Sequence, residues 1–263
     1  SAFLFHSAET TNTVISGFTV QHCGQLTPIS GGYSVTNPAS GIVCLSNSSP
    51  RIISCHITDN KAFTGGGIYV ESSSPEIDNC IIEANYARYG GGIYCANSVI
   101  TISNCVVSSG QPYILWNNSD ITLRETQGGG IYCSSNSTIK VFGGSVSDNF
   151  GGGIYCSNST ATIVSTVLNN NKHGGAEHNY TGPDLWFRDH SGLGSGLFFA
   201  ASTATVENCT ITNNAGLSGG GLSCQSNSLV VMTGCLLANN KAFSSESELN
   251  NSANDTYSTL SLI

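Results

Sequence analysis

The chain of 263 residues is only 9% charged and carries a net charge of −8, with eight Lys plus Arg and no basic cluster, which argues against a nucleic-acid partner. No apolar run approaches the ~18 residues of a membrane-spanning helix, so no membrane span is expected in this chain. The 31 glycines and the wealth of Ser, Thr and Asn would suit disorder, but Ile, Val, Leu and aromatics recur at fixed places and supply a core.

In chain order, the first strand signals are FLFH at 3–6 and ISGFTV at 15–20. From there a unit of about 25 residues repeats. Its signature is a glycine run, an aliphatic, usually Tyr and usually Cys. It reads SGIVC up to Cys44, GGGIYV at 65–70, GGGIYC at 90–95, 128–133 and 151–156, GLFF at 196–199 and GGGLSC at 219–224. An apolar column follows at Ile52, Ile77, Ile102, Val141, Ile163, Val206 and Met232. Three residues on stand Cys55, Cys80, Cys105, Gly144, Thr166, Cys209 and Cys235, and two further on a second apolar column runs from Ile57 to Leu237. FLFH matches the GIYC position, Phe18 the cysteine column and Val20 the last aliphatic column. Most units close on an Asn (Asn60, Asn85, Asn149, Asn171, Asn214, Asn240), read as a turn residue that tolerates left-handed backbone.

Each unit thus holds three stretches of period-2 alternation, too short to stand alone and uninterrupted by any helical period. Such strands pair with their counterparts in the next unit. This predicts an all-β, single-domain right-handed parallel β-helix over residues 1–263, with three short strands per coil and about 8–9 coils. At ~4.8 Å per coil the rod would be roughly 40 Å long. Two longer steps predict insertions at about 108–127 and 170–195, and 241–263 reads as a C-terminal tail ending in a terminal strand, STLSLI.

The GGGIYC signature and the DN/NN spacing are similar to the GGA-I and FxxN repeats of chlamydial polymorphic outer-membrane proteins. More broadly, the chain resembles secreted bacterial right-handed parallel β-helix repeat proteins along nearly its whole length. It departs in having a third Gly for Ala, and in generally lacking Phe before the Asn. The resemblance implies life outside the cell or at its surface. That group includes adhesins, lyases and structural rods, so activity has to be read from sites.

With the aliphatic and Cys of GIYC facing inward, Tyr69, Tyr94, Tyr132, Tyr155 and Phe198 form an outward aromatic stripe. It reads as a stacked ladder that strengthens coil pairing, or as a docking strip for a glycan or protein. Ten of the 11 cysteines fall in two inward columns, and Cys23 stands in the Asn column. With no C-x2-C, no zinc site or other metal is expected, and no cofactor. The cysteines read as core residues, with the oxidation of stacked pairs left open.

The insertions are where binding or chemistry would sit on such a scaffold. The first brings Trp116, Asp120, Arg124 and Glu125. The second concentrates His173, Glu177, His178, Asp184, Trp186, Arg188, Asp189 and His190. Asp184, Arg188 and Asp189 are the minimal catalytic candidates for a polysaccharide lyase or hydrolase. Acids and bases are scarce along the repeat faces, however, which favours a non-enzymatic structural or adhesive rod over a glycan-binding module or an enzyme.

Sequons at Asn47, Asn117, Asn136, Asn158, Asn179, Asn208, Asn250 and Asn254 are candidates for N-glycosylation. Asn47, Asn136 and Asn158 share one turn. The chain opens on Ser1 without a signal peptide, which reads as a mature or excised piece of a longer precursor. The expected partners are copies of itself stacked head-to-tail through STLSLI, or the rest of a longer surface protein.

Overall fold

A computed structural model describes residues 1–24, 40–111, 127–172, 196–216 and 219–242, and the backbone of strands at 26–29, 32–35, 115–117, 120–122, 249–251 and 259–262. Three parallel sheets run the length of the molecule. The first stacks nine strands from Phe3–Phe5 to Leu249–Asn251, and the second nine from Val14–Ser16 to Thr259–Leu262. The third stacks eight, from Thr19–Gln21 to Leu236–Ala238. Successive coils pair in register, so like residues stack: Ile52, Ile77, Ile102, Val141, Ile163, Val206 and Met232 are direct neighbours and all buried. The second sheet adds an inner column not singled out in the sequence: Ile100, Ile139, Ala161, Ala204 and Val230.

Each corner of the triangular coil carries its own polar ladder. Between the first and second sheets, buried serines take N–H bonds from the coil before, as in Ser48 N–H to Ser73 Oγ (3.2 Å) and Ser73 N–H to Ser98 Oγ (3.1 Å). Between the second and third sheets, Cys55 N–H donates to Cys80 Sγ and Cys80 N–H to Cys105 Sγ, both at 3.4 Å. Between the third and first sheets stands the Asn ladder. Asn60 Nδ2 donates to Asn85 Oδ1, Asn149 Nδ2 to Asn171 Oδ1, and Asn171 Nδ2 to Asn214 Oδ1, at 2.9–3.0 Å. Cys23 holds the Asn position in the first coil, donating its N–H to Asn60 Oδ1 at 3.0 Å.

The ladder corrects the expectation that these asparagines supply left-handed backbone. That conformation falls on the residue before each of them, such as Asp59 (φ 48°), Ala84 (φ 50°), Asp148 (φ 57°) and Asn170 (φ 52°). The ladder asparagines are kept by their buried side-chain bonds: a buried amide satisfies both its own groups and backbone groups that the turn leaves open.

The glycine triplets divide their labour. The first takes the left-handed turn (Gly65, Gly90 and Gly128 at φ 57–60°). The second and third lie under the backbone of the next coil: a Cβ on Gly66 would sit 2.6 Å from Gly91 O, and one on Gly67 2.7 Å from Gly92 O.

Two sequence expectations shift. FLFH slips by one residue, since Phe3 pairs with Ile42 and Phe5 with Cys44, so Phe5 takes the inward cysteine position. In a strand a one-residue slip exchanges the faces, and Phe5 is accordingly buried while Leu4 is 50% exposed. The tail forms a ninth coil: 249–251 pairs with 222–224 and 259–262 with 229–232. Within STLSLI, strand 259–262 is thus paired with its own neighbouring coil and is the last strand of the second sheet.

Candidate functional site along one edge

The insertions share one corner. Between the third and first sheets the chain adds 25–39, 112–126 and 173–195, whereas the second-to-third corner is two residues in every coil. Ser108 and Gln127, and Asn170 to Lys172, remain in coil register, so the insertions are shorter than the spans read from sequence. The first of the three was not anticipated. It contains a hairpin (26–29 with 32–35), as does 112–126 (115–117 with 120–122), and strand 32–35 lies beside strand 115–117.

At the root of this corner each coil places one side chain next to the Asn ladder. Lys61, Tyr86 and Gln111 are bridged in order, as are Phe150, Lys172, Ala215 and Lys241. Phe150 N–H to Gly110 O (2.9 Å) joins the two runs into one column. Backbone bonds to the ladder residues hold it, for example Tyr86 N–H to Asn60 O and Lys172 N–H to Asn149 O, at 2.8 and 2.9 Å. Lys61 Nζ sits 5.1 Å from the Tyr86 ring centre and 3.7 Å from Asp59. Alongside, the Arg88 guanidinium lies over Tyr89 (4.9 Å) and Phe63 (5.8 Å). Such cation–aromatic contacts contribute roughly 0.5–1 kcal/mol each at exposed sites. Farther along, Gln111, Asp148, Asn149, Phe150, Asn170 and Lys172 line a surface cavity of ≈260 Å³ between the roots of the 112–126 and 173–195 insertions. Asn170 Nδ2 donates to Asp148 Oδ1 at 2.6 Å across its rim.

The aromatic stripe is a stack: ring centres from Tyr69 through Tyr94, Tyr132 and Tyr155 to Phe198 are 4.4–5.6 Å apart and nearly coplanar in orientation. Tyr89 packs on Tyr132 at 5.2 Å and carries the aromatic surface round onto the insertion edge. Tyr69 and Phe198 are buried, at 8% and 3% exposure, so only Tyr94, Tyr132 and Tyr155 present part of their surface.

Asn47, Asn136 and Asn158 are exposed on the first-to-second corner, and Asn208 on the next. The side chains of Trp116, Asn117, Asp120 and Asn250 lie outside the described residues, as do Arg124, Glu125, Asn179 and Asn254. The same holds for the second cluster, His173, Glu177, His178, Asp184, Trp186, Arg188, Asp189 and His190. Among the described residues, no three His, Cys, Asp or Glu side chains converge as a metal site would require. Sequence reading missed the edge column, although its signal is visible: it is the residue after each ladder position, giving N-K, N-Y, N-F, N-K, N-A and N-K.

A family model described as "Right handed beta helix region" matches residues 2–127, a little under half of the chain. The chain is a right-handed parallel β-helix. The same three-sheet register continues from that match to residue 262. Neither among curated proteins nor among solved structures is there a significant match. β-Helix domains of this kind occur in adhesins, glycan binders and polysaccharide-degrading enzymes.

All eleven cysteines of the β-helix are free thiols, and nine are buried. Burial pushes Cys44 and Cys224 up to about 12 and Cys209 up to about 11. In the stack Cys95–Cys133–Cys156, hydrogen bonding to Cys133, and then burial, hold the two outer thiols protonated. Only the thiolate is reactive. Because nine thiols are shut away from solvent, a disulfide-exchange reagent should label Cys23 and Cys235 rapidly in the native protein and all eleven after denaturation. Fast labelling of more than two would show that the coils open. Because the raised thiols keep protons that the unfolded chain releases above its ordinary pKa near 9, they favour folding fully below pH 9. That contribution is lost as the pH rises from about 9 to about 12.

Proposed function

We propose that this β-helix is a non-enzymatic extracellular rod with a structural or adhesive role, making its contacts along the insertion-bearing edge. The supporting observation is that the three long insertions, 25–39, 112–126 and 173–195, leave the coil at one corner. Contact residues on repeat scaffolds concentrate where the coil tolerates added chain, because an insertion there leaves the stacked core untouched. The test is to replace 112–126 by a short Gly-Ser turn and compare attachment to cultured cell surfaces. The expected result is an unchanged melting temperature with attachment largely lost. Undiminished attachment would sink the reading.

Glycosylation belongs to the same proposal. Asn47, Asn136 and Asn158 stack as exposed left-handed turn residues at φ 47–62° on a corner away from the insertions. Sugars there would stand clear of the core and of the contact edge. Intact-mass measurement of the natively expressed protein, before and after enzymatic deglycosylation, should show a loss that the triple Asn→Gln variant lacks. No mass change would rule the sugars out.

A further inference from the structure

We infer that the stacked tyrosines of the first sheet are an oxidative cross-linking site, where one-electron oxidation joins Tyr132 to Tyr89 or Tyr94 as dityrosine and ties neighbouring coils together covalently. The co-reactant is a one-electron oxidant, such as a haem peroxidase supplied with hydrogen peroxide. This modification is independent of the contact edge and of the sugars proposed above.

Three observations carry it. First, phenols are crowded as coupling requires. Tyr69, Tyr94, Tyr132 and Tyr155 stand on consecutive coils with ring centres 5.2, 5.6 and 4.9 Å apart, and Tyr89 lies 5.2 Å from Tyr132. Coil pairing does not need the hydroxyls, since Val43 and Phe198 occupy the same column on either side of the four tyrosines. Second, one junction is already turned towards bonding. A biaryl bond joins ring edges, so rings stacked face to face must tilt before they couple. Tyr89 and Tyr132 are inclined by 51°, whereas Tyr94 and Tyr132 are inclined by only 4°. All three rings are half-buried, which leaves part of each open to an oxidant, and rotation about Cβ–Cγ is soft. Tyr89–Tyr132 therefore couples ahead of Tyr94–Tyr132. Third, the buried end of the stack has a proton acceptor: Tyr69 donates its hydroxyl to Glu71 Oε2 at 2.9 Å, a carboxylate placed to take the proton as an electron leaves.

The reaction balances without any further group. Each of two tyrosines gives up one electron and one proton, and one C–C bond forms between their ortho carbons. The hydrogens on those carbons then move to the phenol oxygens, while one hydrogen peroxide is reduced to two waters. The thiols of the same strands, Cys95 and Cys133, face the core and are fully buried, so the oxidant reaches the phenols first. Partners held in contact react as though at very high concentration, which directs coupling within one molecule rather than between two.

The experiment treats the dilute full chain with a haem peroxidase and hydrogen peroxide. Dityrosine fluorescence is followed, monomer is separated on a denaturing gel, and the cross-linked peptides are mapped by tandem mass spectrometry. The fluorescence should reside in the monomer band, with a yield per molecule that does not depend on protein concentration. The peptides should pair Tyr132 with Tyr89 first and with Tyr94 second. Tyr132→Phe keeps the ring in the stack but removes the phenol that both partners share, and should lower the yield several-fold. Tyr86→Phe, outside the stack, should leave it unchanged. Both variants should keep the native circular dichroism spectrum. Tyr89→Phe gives an independent reading with Tyr132 intact, since the remaining cross-links should move to the Tyr94–Tyr132 pair. Absence of dityrosine, dityrosine confined to oligomers, an equal yield in Tyr132→Phe, or cross-links mapping only to tyrosines outside the stack each overturns the inference.

Discussion

Replacing Asn171 by Ala should destabilise the protein by about 3–5 kcal/mol and lower its melting temperature by roughly 10 °C. Asn171 is fully buried at the middle of the Asn ladder. Its Oδ1 accepts from Asn149 N–H (3.2 Å) and Asn149 Nδ2 (2.9 Å), and its Nδ2 donates to Val146 O and Asn214 Oδ1, both at 2.9 Å. Alanine would leave two donors of Asn149 and the carbonyl of Val146 without those partners in a dry corner. Each orphaned group costs about 1–3 kcal/mol, part of which relaxation recovers. A change of less than 2 °C in a thermal scan would show that strand stacking alone holds the corner.

Gly129→Ala should cost at least about 3 kcal/mol, the upper end for overpacking, because nothing at the site can yield cheaply. A Cβ there would lie 2.0 Å from Phe150 O and 2.7 Å from Phe150 C, both backbone atoms of the next coil. Gly129 is not in the left-handed region, so the penalty is purely one of close approach. Gly17→Ala is the matched contrast. Its φ is +75°, but nothing lies within 4 Å of the added Cβ, so only the conformational cost of about 1–2 kcal/mol applies. Chemical denaturation of both variants separates the two roles of glycine in this coil, and equal losses would contradict the division.

Much of the architecture was legible in the residues themselves. The inward columns Ile52 to Met232 and Ile57 to Leu237 follow from period-2 alternation locked to a ~25-residue repeat, since only stacking in register buries such short strands. The outward Tyr column follows from the same alternation. The ladder asparagines were legible as positions but not as devices. A turn residue and a buried hydrogen-bonding residue look alike in sequence when both are Asn. Only the dihedrals of Asp59, Ala84 and Asp148 show that the neighbour takes the turn.

What the sequence alone determined about this protein is therefore the repeat, its inner columns and its parallel stacking, because these depend on local alternation copied from unit to unit. What only the tertiary structure decided is where the irregular parts converge. That 25–39, 112–126 and 173–195 leave from a single corner depends on how three strands close into one coil. So does the alignment of Lys61, Tyr86, Gln111, Phe150, Lys172, Ala215 and Lys241 in one line across 180 residues. Stacking each coil on the last turns a large separation in sequence into a few ångströms in space.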